Sequence, residues 1–368
     1  MLRPLKRGTM HAEREKIRVY SMTNSGYEEK NKITINRSLL LTLVAGAFAL
    51  GIFIGAATGL FSPLPPLQGE SLQDEPEGTF RFIRASVEAK HAGERLMTNR
   101  ELKPFQYKVN SLIESDLKNA DAESIAVYFR DLNNGNRFVI GERNVFDGDN
   151  HLKLPLMIAY FKWAESNPLV LRKKLICGVK PETEQRRETA MSKLELGKSY
   201  TVNDLIFRMI AYDDDAAYAM LSANLPANRL GKILKDLNGE YDPQKQNESL
   251  SLNTYAALFR VLFNASYLSE EMSEKALRYL SKTAFQDGIA SAIPPNVDKA
   301  VDHEEMSIRS TGEGENSDML QLQEFGIIYH QNRPFLLGVI ARGSDDNRLE
   351  TVIRDVTRLV FREVDQQS

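Results

Sequence analysis

Cysteine is almost missing from this sequence: Cys177 is the only one in 368 residues. No intrachain disulfide can form, and one Cys with five His leaves no zinc constellation. In the stretch Leu175-Ile176-Cys177-Gly178-Val179 the lone thiol reads as a small buried hydrophobe. Internal repeats and low-complexity segments are also missing, which excludes repeat architectures. The net charge of -3 carries no basic excess, so nucleic acid is not an expected partner, and no cofactor is expected. With 42% hydrophobic, 26% charged and 8% aromatic residues, the chain has enough apolar material for a sizeable core.

One absence is local. From Ser38 to Gly69 there is no Asp, Glu, Lys or Arg, and Leu39 to Phe61 is apolar nearly throughout. This run is longer than the roughly 20 residues that cross a bilayer core as a helix. Ahead of it, residues 1–37 hold nine Lys or Arg against four Glu, leaving 38 basic and 46 acidic side chains for the rest, a net of -8. The positive-inside rule then puts the basic head in the cytoplasm and the acidic body outside. A cleaved signal peptide has an apolar region of roughly 7–15 residues and rarely so long a head; a buried core helix is the third reading. The expected organisation is a basic cytoplasmic tail (1–37), a transmembrane anchor (38–61), a linker and juxtamembrane segment (62–102) and a globular domain (103–368). Gly51, Gly55 and Gly59, in step with Ala47, form a small-xxx-small stripe that suits a homodimer of the anchor; glycine is also simply frequent in membrane helices.

After the anchor, Ser62-Pro63-Leu64-Pro65-Pro66 cannot continue a helix. Thr79 to Arg84 reads as a short strand or as a contact with the body. Phe105, Val109, Leu112 and Ile113 mark one helix face. Ile125, Val127 and Phe129 alternate into the turn Asn133-Asn134-Gly135-Asn136, from which Phe138-Val139-Ile140 returns. Leu152 to Ala164 is an apolar block of helical length, followed by helical regions at 201–225 and 251–283. Strand character returns at Met306–Arg309, Phe325–Tyr329 and Phe335–Ala341, and Leu349 to Val364 closes the chain as an amphipathic helix. Hairpin connections predict an α+β type of α/β fold: an antiparallel sheet carrying the terminal helices, with an all-helical subdomain at about 150–300.

Three segments carry chemistry. Asn150-His151-Leu152-Lys153-Leu154-Pro155-Leu156-Met157, then Asp213-Asp214-Asp215, then Ser310-Thr311-Gly312, lie in the order and spacing of S-x-x-K, S-D-N and K-T-G. Residues of about 103–365 therefore resemble class A serine β-lactamases and penicillin-binding D,D-peptidases. The resemblance implies a β-lactamase-like fold with a five-stranded antiparallel sheet flanked by helices, preceded here by one transmembrane helix. It assigns motif positions to Lys153, Asp214, Thr311 and Gly312.

The remaining motif positions are substituted. Asn150 stands where the family's serine nucleophile does, and a carboxamide forms no stable acyl adduct; Asn is, however, a good helix N-cap. Asp215 stands at the family's Asn, facing Lys153, where a carboxylate favours the ammonium and removes a general base. Asp213 replaces the serine of the second motif, and Ser310 the lysine of the third. The three acids also complement a helix dipole or, alternatively, suit a calcium or magnesium ion. The motif charge changes from +1 in the family to -2, which opposes carboxylate ligands. Glu240 and Glu248 fall in no E-x-x-L-N pattern, so the deacylating Glu implied by the family is missing. The expectation is a degenerate, catalytically inactive domain that binds or scaffolds envelope components such as peptidoglycan. The alternatives are an active hydrolase with displaced chemistry and a mere spacer behind a functional anchor.

Overall fold

The computed structural model describes residues 80–84, 99–141, 152–178, 194–237, 251–309, 318–331 and 333–367. The anchor at 38–61 with Gly51, Gly55 and Gly59 lies outside them. Among the described residues no helix is long and apolar enough to cross a membrane.

The body begins with helix α1 (Asn99–Lys118) and the hairpin β1 (Ser124–Asp131) and β2 (Arg137–Ile140). A helical stretch follows: α2 (Lys153–Ser166), α3 (Leu169–Arg172), α4 (Val202–Ala211), α5 (Asp215–Asn224), α6 (Ala227–Asp236), α7 (Leu252–Phe263), α8 (Glu270–Leu280) and α9 (Ile289–Ala292). Between α3 and α4 lies a small hairpin, β3 (Lys174–Ile176) with β4 (Ser199–Thr201). The chain ends with β5 (Lys299–Arg309), β6 (Asp318–Ile328), β7 (Phe335–Gly343) and α10 (Asp346–Gln366). The main sheet has the order β2-β1-β7-β6-β5 with every pair antiparallel, as expected from the hairpin signals.

β1 and β7 are buried on both faces because helices cover both. Ile125, Val127 and Phe129 face α1 and α10, which supply Phe105, Val109, Ile113, Val352, Ile353, Val356 and Val360. Ala126, Tyr128, Phe325 and Ile340 face the helical subdomain. The terminal helices are also tied together by Lys108 and Glu363, at 2.7 and 2.8 Å. Cys177 is buried in the core, as its apolar neighbours implied.

The structure corrects several expectations. Asn150 is not the cap of α2: the N-cap position is Leu152, with no side-chain cap bond. The helical ladder starts two residues beyond position 150, with Leu152 O accepting from Leu156 N at 2.8 Å, and Pro155 fits this first turn because an N–H there has no intrahelical acceptor. The helical region 201–225 is two helices, broken at Tyr212–Asp214. β5 is far longer than Met306–Arg309, because its first half is a buried charged run, Asp302-His303-Glu304, that hides strand periodicity. β3 and β4 are too short to leave a signal. Thr79–Arg84 is a contact rather than a strand, at least over the described residues 80–84, with Phe82 and Ile83 buried.

Gly338 of β7 lies opposite Phe325 of β6, and the Phe325 ring fills the place of a side chain: a Cβ there would fall 2.2 Å from Phe325 Cε1. That ring packs on Tyr255 at 4.8 Å and cannot retreat freely. Gly338→Ala is expected to lower stability by about 1–3 kcal/mol through overpacking. Urea unfolding should show a lower midpoint with an unchanged slope, and Phe325→Leu should recover part of the loss in the double variant.

Candidate functional site

Lys153 is the first residue of α2, and its side chain is buried. An ammonium in such a place needs anionic partners close by. The break between α4 and α5 supplies them. Asp213 has φ +57°, in the left-handed region that Asp tolerates better than most residues. This turn brings both its carboxylate and its carbonyl to Lys153: Nζ donates to Asp213 Oδ1 and to Asp213 O at 3.3 Å. Asp215, in the first turn of α5, pairs with the same nitrogen at 2.7 Å. The three donors of the ammonium are thus occupied. Asp214 turns away and caps α5, accepting from Ala217 N at 2.9 Å.

A third element closes the site. β5 contributes Asp302, His303 and Glu304, all buried. The Tyr255 hydroxyl from α7 donates to Asp302 Oδ2 and lies 3.4 Å from Glu304 Oε1. His303 Nδ1 meets Glu324 Oε1 at 3.0 Å, and Phe285 stacks on the imidazole at 3.7 Å. Its Nε2 has no hydrogen-bond partner among the described residues. Glu324 also accepts from Ile289 N at 2.6 Å.

The electrostatics follow from burial and proximity. Burial works against the Lys153 ammonium, but Asp213, Asp215 and Glu304 outweigh it, and the amine is held above the ordinary lysine value. Burial pushes Asp213 up to about 6, with Lys153 and His303 opposing. Asp302 is held well above the carboxylate range by burial and then by the charge of Glu304. Burial and the two acids beside it likewise raise Tyr255.

Chemically, this is a closed charge cluster. A protonated lysine whose donors are all engaged accepts no proton from a nucleophile. Among the described residues no group of three or more His, Cys, Asp or Glu is placed to hold a metal ion. Asp213, Asp214 and Asp215 do not converge on one point, because one caps a helix while the others hold Lys153.

The sequence pattern correctly joined Lys153 to Asp215, and it missed Asp213 as the second partner because a left-handed turn has no spacing signature. Asn150, Ser310, Thr311 and Gly312 lie outside the described residues. The β5 residues whose charges reach Lys153 and Asp213 are Asp302, His303 and Glu304, which precede Ser310 by six to eight positions. Their signal was present: four charged or titratable residues in a row, Asp302 to Glu305, between Val301 and Met306.

A sequence model described as the β-lactamase enzyme family matches residues 105–364. Among solved structures, a mutant of PBP-A as its acyl-enzyme complex with penicillin G is 18% identical, with a TM-score of 0.58 over 74% of this chain and 100% of that one. A β-lactamase from Xanthomonas campestris is 14% identical, with a TM-score of 0.57 over 71% of this chain and 98% of its own. One from Sphaerobacter thermophilus is 15% identical, with a TM-score of 0.58 over 70% and 96%. At these identities the likeness shows the fold. No curated protein gives a significant match.

Lys153→Met strips Asp213 of its counter-charge, and at pH 8 it is expected to cost about 3–5 kcal/mol of stability. The pH dependence has a definite sign. Asp213 sits at about 6 against an ordinary 3.8, so its ionisation lowers stability as pH rises from about 4 to about 6. Without the ammonium that loss continues to higher pH, while at pH 5 Asp213 is neutral and the variant loses less. Urea unfolding of both proteins at pH 5 and pH 8 measures the difference. An equal loss at the two values contradicts the buried-pair account.

Proposed function

The chain belongs to the β-lactamase enzyme family, and from that premise we propose that it is a catalytically inactive, membrane-anchored member that binds or scaffolds envelope components outside the cytoplasm. The observation that carries this reading is the ammonium of Lys153 locked between Asp213 and Asp215. Nucleophilic catalysis by a serine needs a base one helical turn away. At Asn150 the serine itself is replaced, and the lysine is engaged elsewhere.

The charge at the site supports the same conclusion. Carboxylate ligands of the family need a cation to receive them, and β5 brings Asp302 and Glu304 to Lys153 instead. A peptidoglycan-like or other envelope ligand is therefore bound, if at this face, by contacts other than that carboxylate. The anchor is supported by the uncharged run from Ser38 to Gly69 and the charge step across it.

One observation favours a second reading, an active hydrolase with displaced chemistry. Glu324 and His303 form a carboxylate–imidazole pair whose Nε2 is unpartnered, and such a pair orients a base. If it serves a hydrolase, His303→Asn abolishes hydrolysis of nitrocefin or of a chromogenic ester; in the inactive reading there is no hydrolysis to lose.

A mutant of PBP-A forms an acyl-enzyme with penicillin G, so the same reagent tests this chain. Intact-mass measurement after incubation with penicillin G is expected to show no adduct on the wild-type protein. Asn150→Ser alone should also stay unmodified, because Lys153 remains an ammonium. Adding Asp213→Ser, Asp215→Asn and Ser310→Lys frees the amine and supplies a cation for the ligand carboxylate, and only this combination is expected to acylate, slowly; the effects are non-additive because each group acts only with the others. A stoichiometric adduct on the wild type overturns the inactive reading. Separately, protease added to intact cells should digest the body and spare residues 1–37; cleavage of the head with protection of the body reverses the proposed orientation.

A further inference from the structure

Ahead of the family-matched residues, Phe80–Arg84 is held against the body. Phe82 and Ile83 are buried, and the Phe82 ring meets Tyr329 edge-on at 5.3 Å. Glu274 of α8 accepts three consecutive backbone N–H groups, from Arg81 at 2.8 Å, Phe82 at 2.9 Å and Ile83 at 3.1 Å. The Arg81 guanidinium forms a two-bond pair with Asp298, at 2.8 and 2.5 Å. Arg84 adds a longer contact of 3.5 Å to Asn264 at the end of α7.

Two features make this more than a surface contact. Glu274 is only 2% exposed, and all the hydrogen bonds it makes among the described residues come from these five residues. A carboxylate so buried is unfavourable without several donors, and the other described residues offer it none. The contacts also fall on both layers. Glu274 and Asn264 belong to the helical subdomain, whereas Asp298 leads into β5 and Tyr329 follows β6.

We propose that Phe80–Arg84 is a strap that clamps the helical subdomain to the sheet, and that the groove of Glu274, Asp298 and Tyr329 is its receptor. Recognition needs three successive N–H groups, an arginine that matches Asp298, and two apolar side chains; these residues of the chain provide all of them. The strap is independent of whether the site at Lys153 is active. Combined with the membrane reading, the chain has eighteen residues of sequence, 62–79, between the apolar run and a fixed point on the body.

Hydrogen–deuterium exchange on the full chain in detergent micelles tests the proposal. The amides of Arg81, Phe82 and Ile83 should exchange slowly in the wild type. In the double variant Arg81→Ala, Phe82→Ala they should exchange at least about tenfold faster, the loss expected for a charge-assisted hydrogen bond. α8 and the paired β5–β6 edge should then accelerate with them. Glu274→Gln, which keeps the size and loses the charge, should reproduce the effect from the receptor side. If that variant fails to fold, the double variant decides alone, because its changes lie on the strap. Wild-type amides at 81–83 that exchange like an unstructured segment overturn the strap. Acceleration confined to the strap, with α8 and β5 unchanged, overturns the clamp.

Discussion

The ammonium of Lys153 is the constraint around which the centre of this molecule is arranged. A buried charge costs several kcal/mol unless it is neutralised within hydrogen-bond distance. α2 fixes its position, the α4–α5 break delivers Asp213 and Asp215 to it, and β5 adds Glu304 within reach of its charge. Three separate parts of the chain thus meet because one cation has to be satisfied. The arrangement is stable for the reason that it is poor at proton transfer: every donor of the amine is engaged. The inactive reading proposed above rests on two such changes: Lys153 is engaged by Asp213 and Asp215, and Asn150 stands where the family resemblance implies a serine.

Around that centre, several polar groups are buried between elements that otherwise pack through apolar side chains. Tyr255 with Asp302, His303 with Glu324, and Glu274 with the backbone of Arg81 to Ile83 each span two elements. Such pairs contribute little net stability over apolar packing, yet each is costly to break from one side. The opposite face of the sheet, against α1 and α10, is held mainly by aliphatic and aromatic packing, with Lys108–Glu363 between the two helices.

Much of the fold was legible in the residues. Alternation at Ile125, Val127 and Phe129 marked a strand, and the three- and four-residue spacing from Leu349 to Val364 marked a helix, because half-buried elements write their period into the sequence. The antiparallel order followed from the hairpin turns. The order of the three motif segments pointed to the family, and the exchange of Asn for Asp at position 215 pointed to a protonated lysine.

What only the tertiary structure decided concerns charged residues in unlikely places. Asp213 reaches Lys153 through a left-handed turn, which Asp permits without a spacing pattern that would announce it. Asp302, His303 and Glu304 form the buried part of an edge strand, where local pattern predicts solvent. Glu274 looks like one of several exposed acids on α8, and its burial depends on a segment 190 residues away. Hydrophobic periodicity is local and survives in the linear chain. The partners that make a buried charge tolerable are brought from distant positions, so they become visible only once the chain is folded.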